Sequence, residues 1–182
     1  MSAKYVPPAN FAPVEQHLYR SAAPRPINFP FLKLLDIKTI IWLNVEDPSD
    51  ELLDFIDAHD INLEHLGLLT KKVKPWDPIS DKVVQEALTI LMNIQIYPVL
   101  ICCSMGRHRT GAVIGCLRKL QGWSFASLVD EYQRFTGIAG ERSNVELLVE
   151  NFSLVPLKQL LKIKANSNEP VPQWFDLHSD LE

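Results

Sequence analysis

Strand-like and helical runs alternate from residue 17 to residue 103. This predicts an α/β fold: a compact, mostly parallel sheet of four to five strands, with helices on both faces and a helical C-terminal half. Two further observations support it. "PVLICC" is apolar without alternation, as in a strand buried on both sides of a parallel sheet. From Arg109 onward the apolar positions follow helical spacing almost throughout.

Residues 5–16 hold Pro7, Pro8 and Pro13 and read as an extended lead-in. "HLYRS" is short and strand-like, and its Arg20 is expected to be a structural anchor. "FPFLKLLD" suits a brief helix, and the β-branched "IKTIIWLN" (37–44) a strand. In "SDELLDFIDAHD", Leu52, Leu53, Phe55 and Ile56 recur at helical spacing behind Ser49, a plausible cap. "INLEHLGL" reads as another strand. The polar loop "TKKVKPWDPIS" leads to a helix from about Ser80, with Val83, Val84, Ala87, Leu88, Leu91 and Met92 on one face. Further helices run from Arg109 to about Leu120, after Ser124 and after Ser143. Residues 5–163 are expected to form one domain and 164–182 a flexible acidic tail, in which Trp174 and Phe175 are more simply disordered than docked.

The chain has 182 residues, 47% of them apolar, enough for a full core. No apolar run approaches the roughly 20 residues that span a bilayer, and the N-terminus lacks the apolar stretch of a secretory signal. Three cysteines, two of them adjacent, make no disulfide framework, so a soluble cytoplasmic protein is expected. A net charge of −4 argues against nucleic-acid or membrane partners. The basic residues nevertheless fall in knots: Lys71, Lys72 and Lys74; Arg107, His108 and Arg109; Arg118 and Lys119. If the knots converge, they would make a strongly positive pocket. Cys102, Cys103 and His108 lack tetrahedral metal-ligand spacing, and no metal or cofactor is expected.

The segment "VLICCSMGRHRTGAVIGCLRKL" carries the chemistry. Ligands of an open α/β sheet bind outside the carboxyl ends of its strands. Here a strand ends at Cys103 and a helix begins a few residues later. The first turn of a helix has unpartnered N–H groups and the positive end of the dipole, which suit an anion. Gly106 lets the loop turn its amides inward, and Arg109 adds a planar fork for phosphate oxygens. Cys103 sits under that anion site, where a thiolate could attack phosphorus. A free thiol titrates near ~8.5, so only a few per cent is thiolate at neutral pH. A helix terminus supplies at most about 2 kcal/mol toward the charged form. The loop amides and Arg109 would supply the rest.

Five residues separate Cys103 from Arg109, and Thr110-Gly111 follows; this resembles the signature of the cysteine-dependent phosphatases. "GRHRTG", "IGCLRKLQGWS", "DEYQRF" and the upstream "VPPANFAPVEQHLYRSAAP" narrow the resemblance to the plant and fungal atypical dual-specificity phosphatases. Within that family the chain is most similar to the fungal oxidant-induced cell-cycle arrest group. The resemblance implies a protein-tyrosine-phosphatase-like fold and a phosphocysteine on Cys103. Arg109 would bind the transferred phosphoryl, and Thr110 would help the thiolate leave. Members with a Gly-Lys/Arg-His-Arg loop remove the β-phosphate of inositol pyrophosphates, and some also act on phosphotyrosine. Ser104, Met105 and Gly106 would then line the phosphate, and Arg107 and His108 would contact further phosphates. Lys71, Lys72 and Lys74 could do so from across the pocket. The expected partner is an inositol pyrophosphate or a phosphoprotein, with related phosphatase-like proteins as further partners.

Two positions depart from the family pattern. The residue before the nucleophile is usually His, which helps hold the loop; here it is Cys102, a small residue closing a buried strand or else a redox partner for Cys103. No full acid loop is evident, and Asp77 is the best candidate for the general acid, with Asp81 weaker. Two alternatives stay open: a phosphotyrosine protein phosphatase, and a catalytically weak phosphate-binding module in a multi-protein assembly.

Overall fold

A computed structural model of the chain describes residues 5–70, 79–137 and 143–175. Five strands form one sheet: β1 (Ala12–Glu15), β2 (Leu18–Ala22), β3 (Thr39–Trp42), β4 (Asn62–His65) and β5 (Val99–Cys103). Their order is β1-β2-β5-β3-β4, antiparallel between β1 and β2 and parallel elsewhere. The mixed α/β class read from the sequence is correct. The chain divides into two compact units, Met1–Asp77 with Ile96–Thr110, and Pro78–Gln95 with Gly111–Glu182.

The first unit contains the sheet. β5 lies between β2 and β3, with Cys103 level with Ala22 and Cys102 level with Ser21 and Trp42. Every residue of β3 and β5 is buried, which accounts for the unbroken apolar run of "VLICC". Side chains alternate between faces along a strand. Ile40, Trp42, Leu100 and Cys102 share one face, where they pack with Leu32 of α1 (Phe29–Leu34) and Leu52, Phe55 and Ile56 of α2 (Asp50–Ala58). Ser49 caps α2 with its hydroxyl accepting from Leu52 N at 3.4 Å, as its place before the apolar run predicts. β1 arises inside the proline-bearing lead-in, where Pro13 is tolerated because the strand lies at the sheet edge. The run read as one strand, "INLEHLGL", ends at His65 and continues as a 3-10 turn over Leu66–Thr70.

The second unit is helical among its described residues. It holds α3 (Asp81–Leu91), most of α4 (His108–Leu120), α5 (Phe125–Thr136), α6 (Ser143–Asn151) and α7 (Val155–Asn166). Ser80 and Ser124 cap α3 and α5, and the apolar positions read for α3 are all buried. Asp81 lies in the first turn of α3, where its charge complements the dipole. The single helix expected after Ser143 is two, because Phe152–Leu154 break the run and Pro156 opens α7, where a missing N–H costs nothing.

The knot at Arg118 and Lys119 is engaged within the helical unit. Arg118 is buried, its Nε donates to Glu131 Oε2 at 3.1 Å, and its guanidinium lies 4.5 Å from the Trp123 ring centre. Lys119 Nζ donates to the carbonyls of Val149 and Phe152 at 3.0 Å each, at the C-terminal end of α6 where a cation is favoured. Both charges are used within the helical unit.

Secondary structure continues into the stretch read as a flexible tail from residue 164. α7 runs to Asn166, and Gln173–Phe175 form a 3-10 turn. Phe175 is buried, and Gln121 Nε2 donates to Trp174 O at 3.1 Å. Burying a phenyl ring gives about 2–3 kcal/mol, which offsets the ordering of a short segment. Among the described residues no helix is long and apolar enough to cross a membrane.

Leu100 is fully buried at the centre of the sheet and of the cluster beneath α1 and α2. Leu100→Ala should destabilise the protein by about 2–5 kcal/mol, measured by urea unfolding. A loss under about 1 kcal/mol would mean that the cavity collapses and the core is not built around β5.

Candidate active site

The loop after β5 is held from outside by its carbonyl groups. Ala23 N donates to Cys103 O at 2.8 Å. Asn10 Nδ2 donates to Met105 O at 2.8 Å, and Arg20 Nη2 donates to Gly106 O at 3.0 Å. Arg20, read from the sequence as an anchor, is 1% exposed on β2. Gly106 has φ +66°, a region that disfavours side chains, and a Cβ there would lie 2.5 Å from Ala22 N and from Ser21 C. The loop can therefore press against β2 only with glycine at this position.

With three carbonyls directed outward, the chain from 103 to 109 can turn other groups toward an anion. The amides of Met105 and Arg107 meet no acceptor among the described residues. Those of Ser104 and Gly106 are engaged: Ser104 N donates to Asn44 Oδ1 at 2.7 Å and Gly106 N to Cys103 O at 3.2 Å. α4 begins at His108, so His108, Arg109 and Thr110 form its first turn, which carries the positive end of the helix dipole. Arg109 Nη1 donates to Leu43 O at 3.3 Å, which fixes the direction of its side chain.

Arg107 Nε and Thr110 Oγ1 are buried and unsatisfied among the described residues. A buried donor without an acceptor costs about 1–3 kcal/mol. Cys103 is 4% exposed at the end of β5, and Met105 is 53% exposed on the loop. Lys71, Lys72, Lys74 and Asp77 lie outside the described residues.

Cys102 faces the core and not the loop that follows Cys103. It follows Leu100 by two residues on β5 and lies in the cluster with Trp42 and Leu52, so its side chain leaves the sheet on the opposite face from that of Cys103. Its thiol is pushed well up, first by burial and then by Cys103 beside it. The residue closes a buried strand, the simpler of the two readings. Cys116, buried in α4, is also pushed up by burial.

Sequence reasoning missed Asn10 and Asn44. Asn44 ends the strand-like run 37–44 at the carboxyl edge of the sheet, where ligands gather, and that position was its signal. Asn10 has φ +53°, a conformation that asparagine tolerates better than most residues, after Pro7 and Pro8.

Because burial raises both thiols, Cys102 and Cys116 lack thiolate near neutral pH, and reactivity should appear only as the fold opens. Iodoacetamide at about pH 8, followed by peptide mass spectrometry, should leave both unmodified in the folded protein and label both in urea. Labelling of Cys102 in the folded state would contradict its burial.

Comparison with known proteins agrees with this geometry. A family model described as "Tyrosine phosphatase family" matches residues 5–170. The chain is 54% identical over 149 residues to OCA1 of Yarrowia lipolytica, covering 82% of this chain and 59% of that protein's length. It is 48% identical over 164 residues to OCA1 of Scheffersomyces stipitis, covering 83% and 77%. Its structure resembles the core catalytic domain of the PP-IP phosphatase SIW14 from S. cerevisiae, at TM-score 0.81 and 33% identity over 97% of this chain and 100% of that one. P. aeruginosa TpbA, at TM-score 0.62 and 22% identity over 88% of this chain and 95% of that one, shares the fold alone. The chain therefore belongs to the tyrosine phosphatase family, as a cysteine-type phosphatase of its fungal atypical group.

Proposed function

We propose that the chain removes the β-phosphate of inositol pyrophosphates through a phosphocysteine on Cys103. The observation that carries the reading is the loop from Cys103 to Arg109, whose carbonyls are tied outward while Arg109 is aimed by Leu43 O. The substrate class is supported by SIW14, a PP-IP phosphatase at 33% identity over nearly the whole chain.

In the first step the Cys103 thiolate attacks the terminal phosphorus. The S–P bond forms as the anhydride P–O bond breaks, and the inositol phosphate leaves with the electron pair. Arg109 and the loop amides hold the phosphoryl oxygens, whose charge they stabilise more as the transition state develops. Asp77 is the proton donor the sequence offers, although an anhydride leaving group needs less help than a tyrosine ester. In the second step water attacks phosphorus, the S–P bond breaks, and inorganic phosphate and thiolate are regenerated. The buried Thr110 hydroxyl, without a partner among the described residues, supports its role as donor to the departing thiolate. The unsatisfied Arg107 Nε supports a contact with a further phosphate, which His108 would share, while Ser104, Met105 and Gly106 would line the transferred phosphoryl. Lys71, Lys72 and Lys74 would complete the charge.

The family's description favours a second reading, a phosphotyrosine protein phosphatase. A phosphopeptide carries less charge than Arg107 and His108 can neutralise, so the specificity constants should separate the two. Phosphate release from a diphosphoinositol polyphosphate should be measurable with wild type and lost with Cys103→Ser. Its kcat/KM should exceed that for a phosphotyrosine peptide; the reverse order would overturn the substrate assignment. Tight binding without turnover would select a phosphate-binding module instead.

Thr110→Val removes the hydroxyl and keeps the shape. It should lower kcat by about a hundredfold while unfolding stability holds or rises, because an unsatisfied buried donor is gone. Unchanged kcat would remove Thr110 from the mechanism.

A further inference from the structure

We infer that Asn44 is a positioning residue that sets the start of the anion loop and, with Leu43, both ends of the Cys103–Arg109 span. The inference rests on the reading that this loop holds a phosphoryl group. The two neighbours at the end of β3 each grip one end: Asn44 Oδ1 accepts from Ser104 N at 2.7 Å, and Leu43 O accepts from Arg109 Nη1 at 3.3 Å. Both residues are buried, Leu43 at 1% and Asn44 at 5% exposure.

The clamp is itself fixed from three directions. Leu43 N donates to Cys102 O at 2.9 Å, which ties it to β5 directly beneath the loop. Trp42 Nε1 donates to Glu46 O at 2.8 Å and holds the chain beyond Asn44. Gly67 closes the third side, since a Cβ there would fall 1.4 Å from Asn44 O. Only a glycine can therefore stand opposite the Asn44 carbonyl, which keeps this backbone close to Gly67 while the carboxamide accepts from Ser104.

The family position that usually helps hold the loop is occupied by Cys102, whose side chain faces the core beneath α1 and α2. Asn44 provides a hold on the same stretch from the neighbouring strand. Its oxygen takes up the Ser104 amide, and its Nδ2 has no acceptor among the described residues. The side chain thus offers an acceptor to the loop and no negative charge to the anion. An aspartate could accept the same bond but would set a carboxylate beside the phosphoryl group.

The test is calorimetric binding of inorganic phosphate by wild type, Asn44→Ala and Asn44→Asp, alongside turnover of p-nitrophenyl phosphate. Asn44→Ala should weaken phosphate binding and lower kcat, each by about tenfold. Asn44→Asp should bind more weakly still near neutral pH and recover toward wild type, measured at the same pH, as pH falls from about 5 to about 3, across the ordinary aspartate range, because protonation removes the charge and keeps the acceptor. Asn44→Ala should show no such recovery, which separates positioning from a general loss of packing. Should Asn44→Ala fail to fold, Asn44→Ser takes its place with the same expected losses, and the pH response of Asn44→Asp remains decisive. Phosphate binding by Asn44→Ala within about twofold of wild type, or no recovery of Asn44→Asp on acidification, overturns the inference. Cys103→Ser with full turnover would instead overturn the phosphatase reading, while the phosphate-binding comparison still decides the role of Asn44.

Discussion

Arg20 reaches Gly106 O from within the sheet, and the shape of the loop after β5 depends on that contact. A guanidinium at 1% exposure carries a desolvation cost of several kcal/mol. A surface lysine or a water could have met the carbonyl at far less cost. What a buried arginine adds is direction: its planar fork is fixed by β2, so the carbonyl it binds is fixed too. With Gly106 at φ +66° lying against Ser21 and Ala22, the loop has little freedom to turn over. The loop's geometry is therefore set by the fold itself, and electrostatic stabilisation of a phosphoryl group would need such preset donors.

The second constraint is the alternation of β5. Adjacent residues on a strand face opposite ways, so a chain that aims Cys103 at the anion loop must aim Cys102 at the core. A small apolar thiol suits the cluster of Leu100, Trp42 and Leu52. The family's histidine would bring a polar ring into that cluster. Its absence is consistent with a loop held by neutral and cationic groups from neighbouring segments: Asn10, Arg20 and the Leu43–Asn44 pair. Three segments distant in sequence hold one short loop, which ties the site to the integrity of the whole sheet.

Much of this was legible in the sequence because it follows from local pattern. Ser49 caps α2 as its place before an apolar run predicts, helices start after Ser80 and Ser124 where the pattern puts them, and the unbroken apolar run of β5 reports burial on both faces. The Cys103–Arg109 spacing with glycine between them is visible without a structure. The remainder depends on contacts between segments. Nothing in "IIWLN" says that its asparagine will accept from Ser104, since the two meet only once β3 and β5 pair. Arg118 and Lys119 look like pocket charges until α4 meets Glu131 of α5 and the end of α6. The tail reads as flexible because its composition is polar, and nothing in that composition announces the burial of the ring at Phe175.

The central claim is that Cys103 becomes phosphorylated while an inositol pyrophosphate is consumed. Its most direct test is rapid acid quench during turnover of a diphosphoinositol polyphosphate, with peptide mass spectrometry of all three cysteines. The mechanism predicts one phosphoryl group on Cys103 at early times and none on Cys102 or Cys116. Release of phosphate with Cys103 unmodified throughout, or a phosphoryl group on another residue, would contradict it.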